Sequence, residues 1–336
     1  MIDLQYVAYT LLKSGKGILA DDETDPHADK WLAVHGIEGG DEMRRKFRNL
    51  FLAAPENEKY LSGVILFDGT LTQKADDGTP FPELLTKKGI IPGIKVDQGL
   101  EPFPEGGKET ITKGLLGLPE RLVEYRTKYG TGFTKWRAAI TIEGTKLPTA
   151  QAIHENAKRL ASYALEVQKA GMVPIVEPEV LLEGNHSRLR AREVIAQTIG
   201  AVMSSLEDQG VDITGVILKT SMVLSGNKSG RVDTPEEVAE DTVGVLLESV
   251  PKELAGIVFL SGGQSTEQAT ANLRAIEAEA KKKQAPWPLT FSYARALQDE
   301  ALTIWQGKDE NVTAAREAFI TRLKEDACFT LADSVC

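Results

Sequence analysis

The sequence predicts an α/β fold, a single (β/α)8 TIM barrel with an N-terminal helical extension and a short C-terminal tail, on three observations. Eight short apolar runs recur, at 17–21, 63–68, 92–97, 133–138, 173–180, 215–222, 256–261 and 289–294, separated mostly by helix-like segments. Strands alternating with helices make βαβ units and a parallel sheet. The runs are apolar almost without interruption, as expected of strands covered on both faces. The 336 residues also suit one barrel domain over 1–336, with strands from about 16 to 294 and helices and a tail over 295–336.

The elements follow in order. Leu4, Val7, Ala8, Leu11 and Leu12 recur as one face of a helix that stops at Gly15. A longer helix over 149–170 repeats Ile153, Ala157, Leu160, Ala164 and Val167 and ends before Gly171. Thr234, Pro235, Glu236 and Glu237 offer an N-cap, a first-turn proline and a capping-box glutamate, and Ser265 to Gln268 offers a second box. After Lys324 the tail is short and weakly patterned.

Composition narrows the partners. A net charge of −10 argues against nucleic acid or an anionic membrane, both of which need a basic surface. No apolar run approaches the ~18 residues of a spanning helix, and the N-terminus shows neither a basic leader nor a long apolar block, so no export signal is read. Cys328 and Cys336 sit in the last nine residues, where no bridge can staple the body of the fold, and a cytoplasmic location is expected. His27, His35, His154 and His186 lack metal-site spacing, so neither metal nor cofactor is expected.

The chemistry gathers at strand ends, where a barrel of this kind keeps its active site. Lys219 ends the apolar run 215–222. Alone, it reads as a strand end reaching solvent. Buried without a partner, however, an ammonium is so unfavourable that lysines in such places shed the proton, and a neutral amine is a nucleophile. Asp22 follows the first strand, Lys95 lies in the third, Lys135 and Arg137 in the fourth, and Glu177 and Glu179 in the fifth. Period-two alternation puts Lys135 with Arg137 on one face, and Glu177 with Glu179. Each pair alone reads as a buried ion pair. Carboxylates and lysines from five strands meeting at one mouth would be costly as mere scaffold. After the last two strands, Ser261-Gly262-Gly263 and Arg295 stand where barrels bind phosphate.

These residues resemble the class I, Schiff-base fructose-1,6-bisphosphate aldolases. The resemblance runs from about 16 to 323 through Lys16-Gly-Ile-Leu-Ala, Gln73-Lys-Ala-Asp-Asp-Gly, Gly93-Ile-Lys-Val-Asp97, Lys135-Trp-Arg137, Val173-Pro-Ile-Val-Glu-Pro-Glu179, Leu218-Lys219, Phe259-Leu-Ser-Gly-Gly-Gln-Ser265 and Leu289-Thr-Phe-Ser-Tyr. It implies that Lys219 forms the Schiff base, that Glu177 is the acid and base of carbinolamine formation and dehydration, and that Asp22 orients or deprotonates the carbon-4 hydroxyl. Lys135 and Glu179 are implied as their electrostatic partners. Substrate contacts are implied for Lys95 and Arg137 at the distal phosphate, for Ser261, Gly262 and Arg295 at the carbon-1 phosphate, and for Thr24. A sugar phosphate is the implied partner, and a homotetramer the implied assembly.

The chain departs from the family at three places. His27 and Trp31 stand where relatives have a serine and an arginine, which implies weaker discrimination between fructose 1,6-bisphosphate and fructose 1-phosphate, with Lys30 and Lys95 as compensating cations. Thr220-Ser221 replaces the usual Pro-Asn after the lysine. The sequence ends in Cys336 rather than a terminal tyrosine, so another group or water is expected to protonate the enamine. The competing readings are another Schiff-base barrel enzyme, transaldolase-like or specific for fructose 1-phosphate, and a non-catalytic scaffold. Intact ionisable groups disfavour the scaffold.

Overall fold

Strands form where the apolar runs lie. In the computed structural model, which describes residues 3–104 and 107–328, they are β1 (Gly17–Asp21), β2 (Leu61–Leu66), β3 (Ile91–Lys95), β4 (Leu100–Phe103), β5 (Glu109–Thr112), β6 (Phe133–Ile140), β7 (Val173–Val180), β8 (Ile217–Thr220), β9 (Gly256–Phe259) and β10 (Leu289–Tyr293). All but β4 and β5 close into one parallel barrel, in the order β1-β2-β3-β6-β7-β8-β9-β10. The helices are α1 (Leu4–Leu11), α2 (Asp25–Val34), α3 (Asp41–Leu52), α4 (Phe81–Lys87), α5 (Leu118–Tyr129), α6 (Ala150–Lys169), α7 (Arg188–Asp208), α8 (Pro235–Ser249), α9 (Thr266–Lys282), α10 (Arg295–Trp305) and α11 (Val312–Cys328).

Three details differ from expectation. β4 and β5 form an antiparallel hairpin after β3 that no apolar run announces, since β4 alternates between exposed and half-buried positions. The second strand spans 61–66 rather than 63–68, because Asp68 already opens a 3₁₀ turn. At α8 the capping box is complete, but at α9 only Ser265 contributes, accepting from the Gln268 N–H at 3.2 Å. The tail expected beyond Cys328 lies outside the described residues.

Strand parity fills the barrel. Ile18, Ile65, Phe133, Val173, Ile175, Ile217 and Val258 form an apolar cluster that also takes in Ala8, Leu11 and Leu12 of α1. The N-terminal extension is therefore a stopper in the barrel's lower end. Phe133 fits because Gly63 and Gly93 face it: a Cβ on Gly93 would lie 2.3 Å from its ring. Packing at interior density leaves no room for that atom. A second, larger core joins the outward strand faces to the helices around them.

Candidate active site

Continuing the same inward parity upward turns hydrocarbon into charge. On β6 the series runs Phe133, Lys135, Arg137; on β7 it runs Ile175, Glu177, Glu179; on β8 it runs Ile217, Lys219. The register sets Lys95 beside Lys135 and Arg137 beside Glu177 across neighbouring strands. All of these charged groups line one cavity of about 1200 Å³ that also takes in Asp22, Thr24, Ser261, Gly262 and Arg295. Apart from Lys30 and Trp31, the site residues expected from the sequence thus line the same chamber.

Its floor is a chain of alternating charge. Lys219 Nζ lies 3.1 Å from Glu177 Oε1, Lys135 Nζ lies 3.3 Å from Glu177 Oε2, and the same ammonium lies 2.6 Å from Asp22 Oδ2. Lys219, Glu177 and Lys135 are each only 4% exposed. Lys219 is therefore not the unpartnered ammonium pictured from its strand alone. Burial pushes the Glu177 carboxyl up, but Lys219, Lys135 and Arg137 outweigh it and hold the group below the usual carboxylate range. Asp22 is likewise held low, since Lys135, Lys219 and Lys95 outweigh its burial. Burial works against the charge on Lys135 too, but Asp22, Glu177 and Asp97 raise that group above the ordinary lysine value. Glu177 and Asp22 are thus held as carboxylates at neutral pH.

Around this floor stand further charged and loop groups. Arg137 pairs through Nε with Glu179, and Lys95 with Asp97 at 2.8 Å. Asp97 shares the inward parity of Lys95 and also accepts from the Arg137 N–H at 3.3 Å. That parity could have found it from the sequence. Arg121 also lines the chamber, but it comes from helix α5, where no strand-end signal marks it. Opposite, Gly262 and Gly263 take φ of 60° and 90°, a conformation open mainly to glycine, which turns the loop's backbone through the chamber wall. Gln264 braces that loop by donating to the Ser261 carbonyl at 2.8 Å while accepting from Asn272 at 2.6 Å. Thr24 meets His27 Nδ1 at 2.9 Å on the rim.

Trp31 is the exception to the expected pocket. Its indole donates to Asp299 at 2.8 Å and packs edge-on against Phe47, and Trp31 is not among the residues that line the chamber. His27 does line the chamber. Among the described residues no group of three or more His, Cys, Asp or Glu side chains could hold a metal ion. No helix there is long and apolar enough to cross a membrane.

A primary amine held against a carboxylate at the top of a parallel barrel, with a glycine turn and an arginine facing it, defines the lysine-dependent barrel enzymes that work through a covalent imine. The family model described as fructose-bisphosphate aldolase class-I matches residues 3–332, and the chain belongs to that family. It is 46% identical to a fructose-bisphosphate aldolase of Drosophila melanogaster over 96% of this chain and 88% of that one. It is 44% identical to a probable class 1 fructose-bisphosphate aldolase of Xanthomonas axonopodis over 98% and 97% of the two chains. A fructose-bisphosphate aldolase of Plasmodium falciparum, solved in a complex with TRAP and a small-molecule inhibitor, superposes with a TM-score of 0.94 at 42% identity, over 97% of this chain and 93% of that one.

Proposed function

We propose that the chain is a fructose-bisphosphate aldolase of glycolysis and gluconeogenesis, cleaving fructose 1,6-bisphosphate to dihydroxyacetone phosphate and glyceraldehyde 3-phosphate and running the reverse condensation. The observation that carries the residue roles is the Lys219–Glu177–Lys135–Asp22 chain of contacts. Glu177, ionised at rest, takes a proton from Lys219. The freed amine adds to the carbon-2 carbonyl, and one proton passes from its nitrogen to the oxygen to give the neutral carbinolamine. Glu177 then returns a proton to the carbinolamine oxygen, and water leaves as the iminium forms. Asp22 removes the carbon-4 hydroxyl proton while the carbon 3–carbon 4 electron pair moves into the iminium. The aldehyde is released and an enamine remains, to be protonated and hydrolysed. Lys135 holds Asp22 and Glu177 in their anionic forms, and Glu179 holds Arg137.

Ser261, Gly262 and Arg295 take the carbon-1 phosphate, while Lys95 and Arg137 take the distal one with Thr24 at the rim. With Trp31 turned to Asp299 and no arginine in its place, the distal phosphate is left to Lys95 and Arg137, and the preference for the bisphosphate over fructose 1-phosphate should be smaller than in relatives with that arginine. The remaining elements of the reading are one domain over residues 1–336, a homotetramer and a cytoplasmic location, in keeping with a 46% identical relative from Arabidopsis thaliana described as cytosolic.

Borohydride trapping tests the central assignment. Reduction in the presence of dihydroxyacetone phosphate should leave one stable secondary amine, on Lys219, readable by peptide mass. An adduct on Lys95 or Lys135 instead, or none, rejects it.

A further inference from the structure

Glu23 sits between Asp22 and Thr24 and lines the same chamber, yet its carboxyl belongs to a second network. Arg48, on α3 and 3% exposed, donates through Nη1 to Glu23 Oε2 at 2.9 Å and to Asp21 Oδ1 at 2.6 Å, and through Nη2 to the Glu23 carbonyl at 2.9 Å. Gln298 of α10 donates to the same Asp21 oxygen at 2.9 Å. Asp21 is fully buried, and its other oxygen, Oδ2, has no hydrogen-bond partner. A single guanidinium therefore serves one fully buried carboxyl and one partly buried carboxyl, with Asp22 adding a third carboxylate one residue away. Arg295, at the start of α10, lines the chamber as well.

Two ionised carboxyls on one cation would leave a net negative charge where little water reaches, a costly arrangement. Burial drives Glu23 upward, Arg48 opposes it, and Asp21 and Asp22 reinforce it, bringing the group to about 7. Asp21 is raised as well, by burial against the opposing Arg48 and Gln298. Such a titration belongs to the pair rather than to either residue.

We propose that Asp21, Arg48 and Glu23 hold one shared proton at the edge of the reaction chamber, and that Asp21 is a positioning residue that decides whether Glu23 meets a phosphorylated substrate as an acid or as a carboxylate. As an acid, Glu23 donates a hydrogen bond to an oxygen of the ligand. As a carboxylate it repels a phosphate. Binding of the phosphorylated substrate is then linked to one proton that Asp22 and Glu177, both ionised at rest, do not supply. The inference rests on the reading of the chamber as a sugar-phosphate site.

The test uses a hexitol 1,6-bisphosphate, which lacks the carbonyl and cannot condense with Lys219. Its dissociation constant is measured calorimetrically from acid to alkaline pH for the wild type, Glu23→Gln and Asp21→Asn. Glu23→Gln cannot ionise and reports the ligand's own pH dependence. Relative to that variant, wild-type affinity should fall through neutrality by up to about tenfold per pH unit, as one linked proton allows. Asp21→Asn leaves Arg48 to Glu23 alone, so the fall should move to lower pH by roughly one unit or more. Parallel profiles for wild type and Glu23→Gln, or an Asp21→Asn profile that follows the wild type, overturn the proposal. Carbon-13 carboxyl spectra of the wild type give a reading that needs neither variant nor ligand. One of the two carboxyls should titrate near neutrality, and two ordinary acidic midpoints overturn the proton store. Failed borohydride trapping, by contrast, would remove the substrate reading and leave the carboxyl titration standing.

Discussion

On β6 the inward side chain is Phe133 at one level and Lys135 at the next, and on β8 the same step leads from Ile217 to Lys219. Below that step the barrel is closed by hydrocarbon and stopped by α1, whereas above it buried ammonium and carboxylate groups are in contact. The lower level is stabilised by removing apolar area from water, a term without direction. The upper level gains little from burial and depends on each charge having its opposite within reach. Backbone and parity are shared, so the change of side-chain type alone divides stability from chemistry.

Substitutions on the two sides of that step should fail differently. Glu177→Gln should lower kcat by about 10²–10⁴-fold with KM little changed, the range of a lost general acid and base. Stopped-flow formation of the imine reads it directly. A raised KM with kcat spared would make Glu177 a binding group. Phe133→Ala should cost about 3–5 kcal/mol of stability by urea unfolding, since it empties the space that Gly63 and Gly93 leave. The folded fraction should still turn over within a few-fold of the wild type, and a loss like that of Glu177→Gln would mean the two levels are not separable.

The smallest effect concerns buried carboxyls that lack cations in contact. Glu277 on α9 has neither carboxyl oxygen hydrogen-bonded, and burial pushes it up to about 8, with Lys281 opposing and Asp326 adding. Asp326 on α11 is raised to about 7 by burial, against Thr270 and Arg322. The signs are opposite to those of Asp22 and Glu177. Asp22 and Glu177, held low, contribute stability that is present above their unfolded values and lost as pH falls through the folded ones. Glu277 and Asp326, held high, are most favourable below their unfolded values and cost stability as pH rises towards 7 and 8. Glu277→Gln should therefore raise Tm at pH 9 more than at pH 5, by the equivalent of about 1 kcal/mol or more, because a tenfold change in proton affinity is worth about 1.4 kcal/mol. An equal change at both pH values would mean that Glu277 titrates normally and has a partner in solution.

Strand ends were the legible part of this molecule. Lys95, Lys135, Arg137, Glu177, Glu179 and Lys219 could be placed on one wall because a charge inside an apolar run leaves few positions for it, and period two settles which residues share a face. Asp97 follows from the same rule two residues after Lys95. Other parts depended on contacts between residues far apart in sequence. Arg48 reaches Asp21 and Glu23 from a helix whose own sequence reads as a charged surface segment. The turn of Trp31 towards Asp299 joins residues 268 positions apart. In the β4–β5 hairpin, β4 lacks burial, and β5, though largely buried, is Glu109-Thr-Ile-Thr112, so neither strand shows as an apolar run.

The stopper formed by α1 also governs molecular traffic. With the lower end filled by Ala8, Leu11 and Leu12 among the barrel's aliphatic side chains, reactant and both products pass through one doorway. In the proposed mechanism, carbon–carbon cleavage leaves the ketone half tethered to Lys219 and frees the aldehyde half. The tether therefore acts as a queue: the aldehyde departs first, the ketone follows once water has cut the imine, and in the synthetic direction the ketone must enter and be fastened before an aldehyde can profitably arrive.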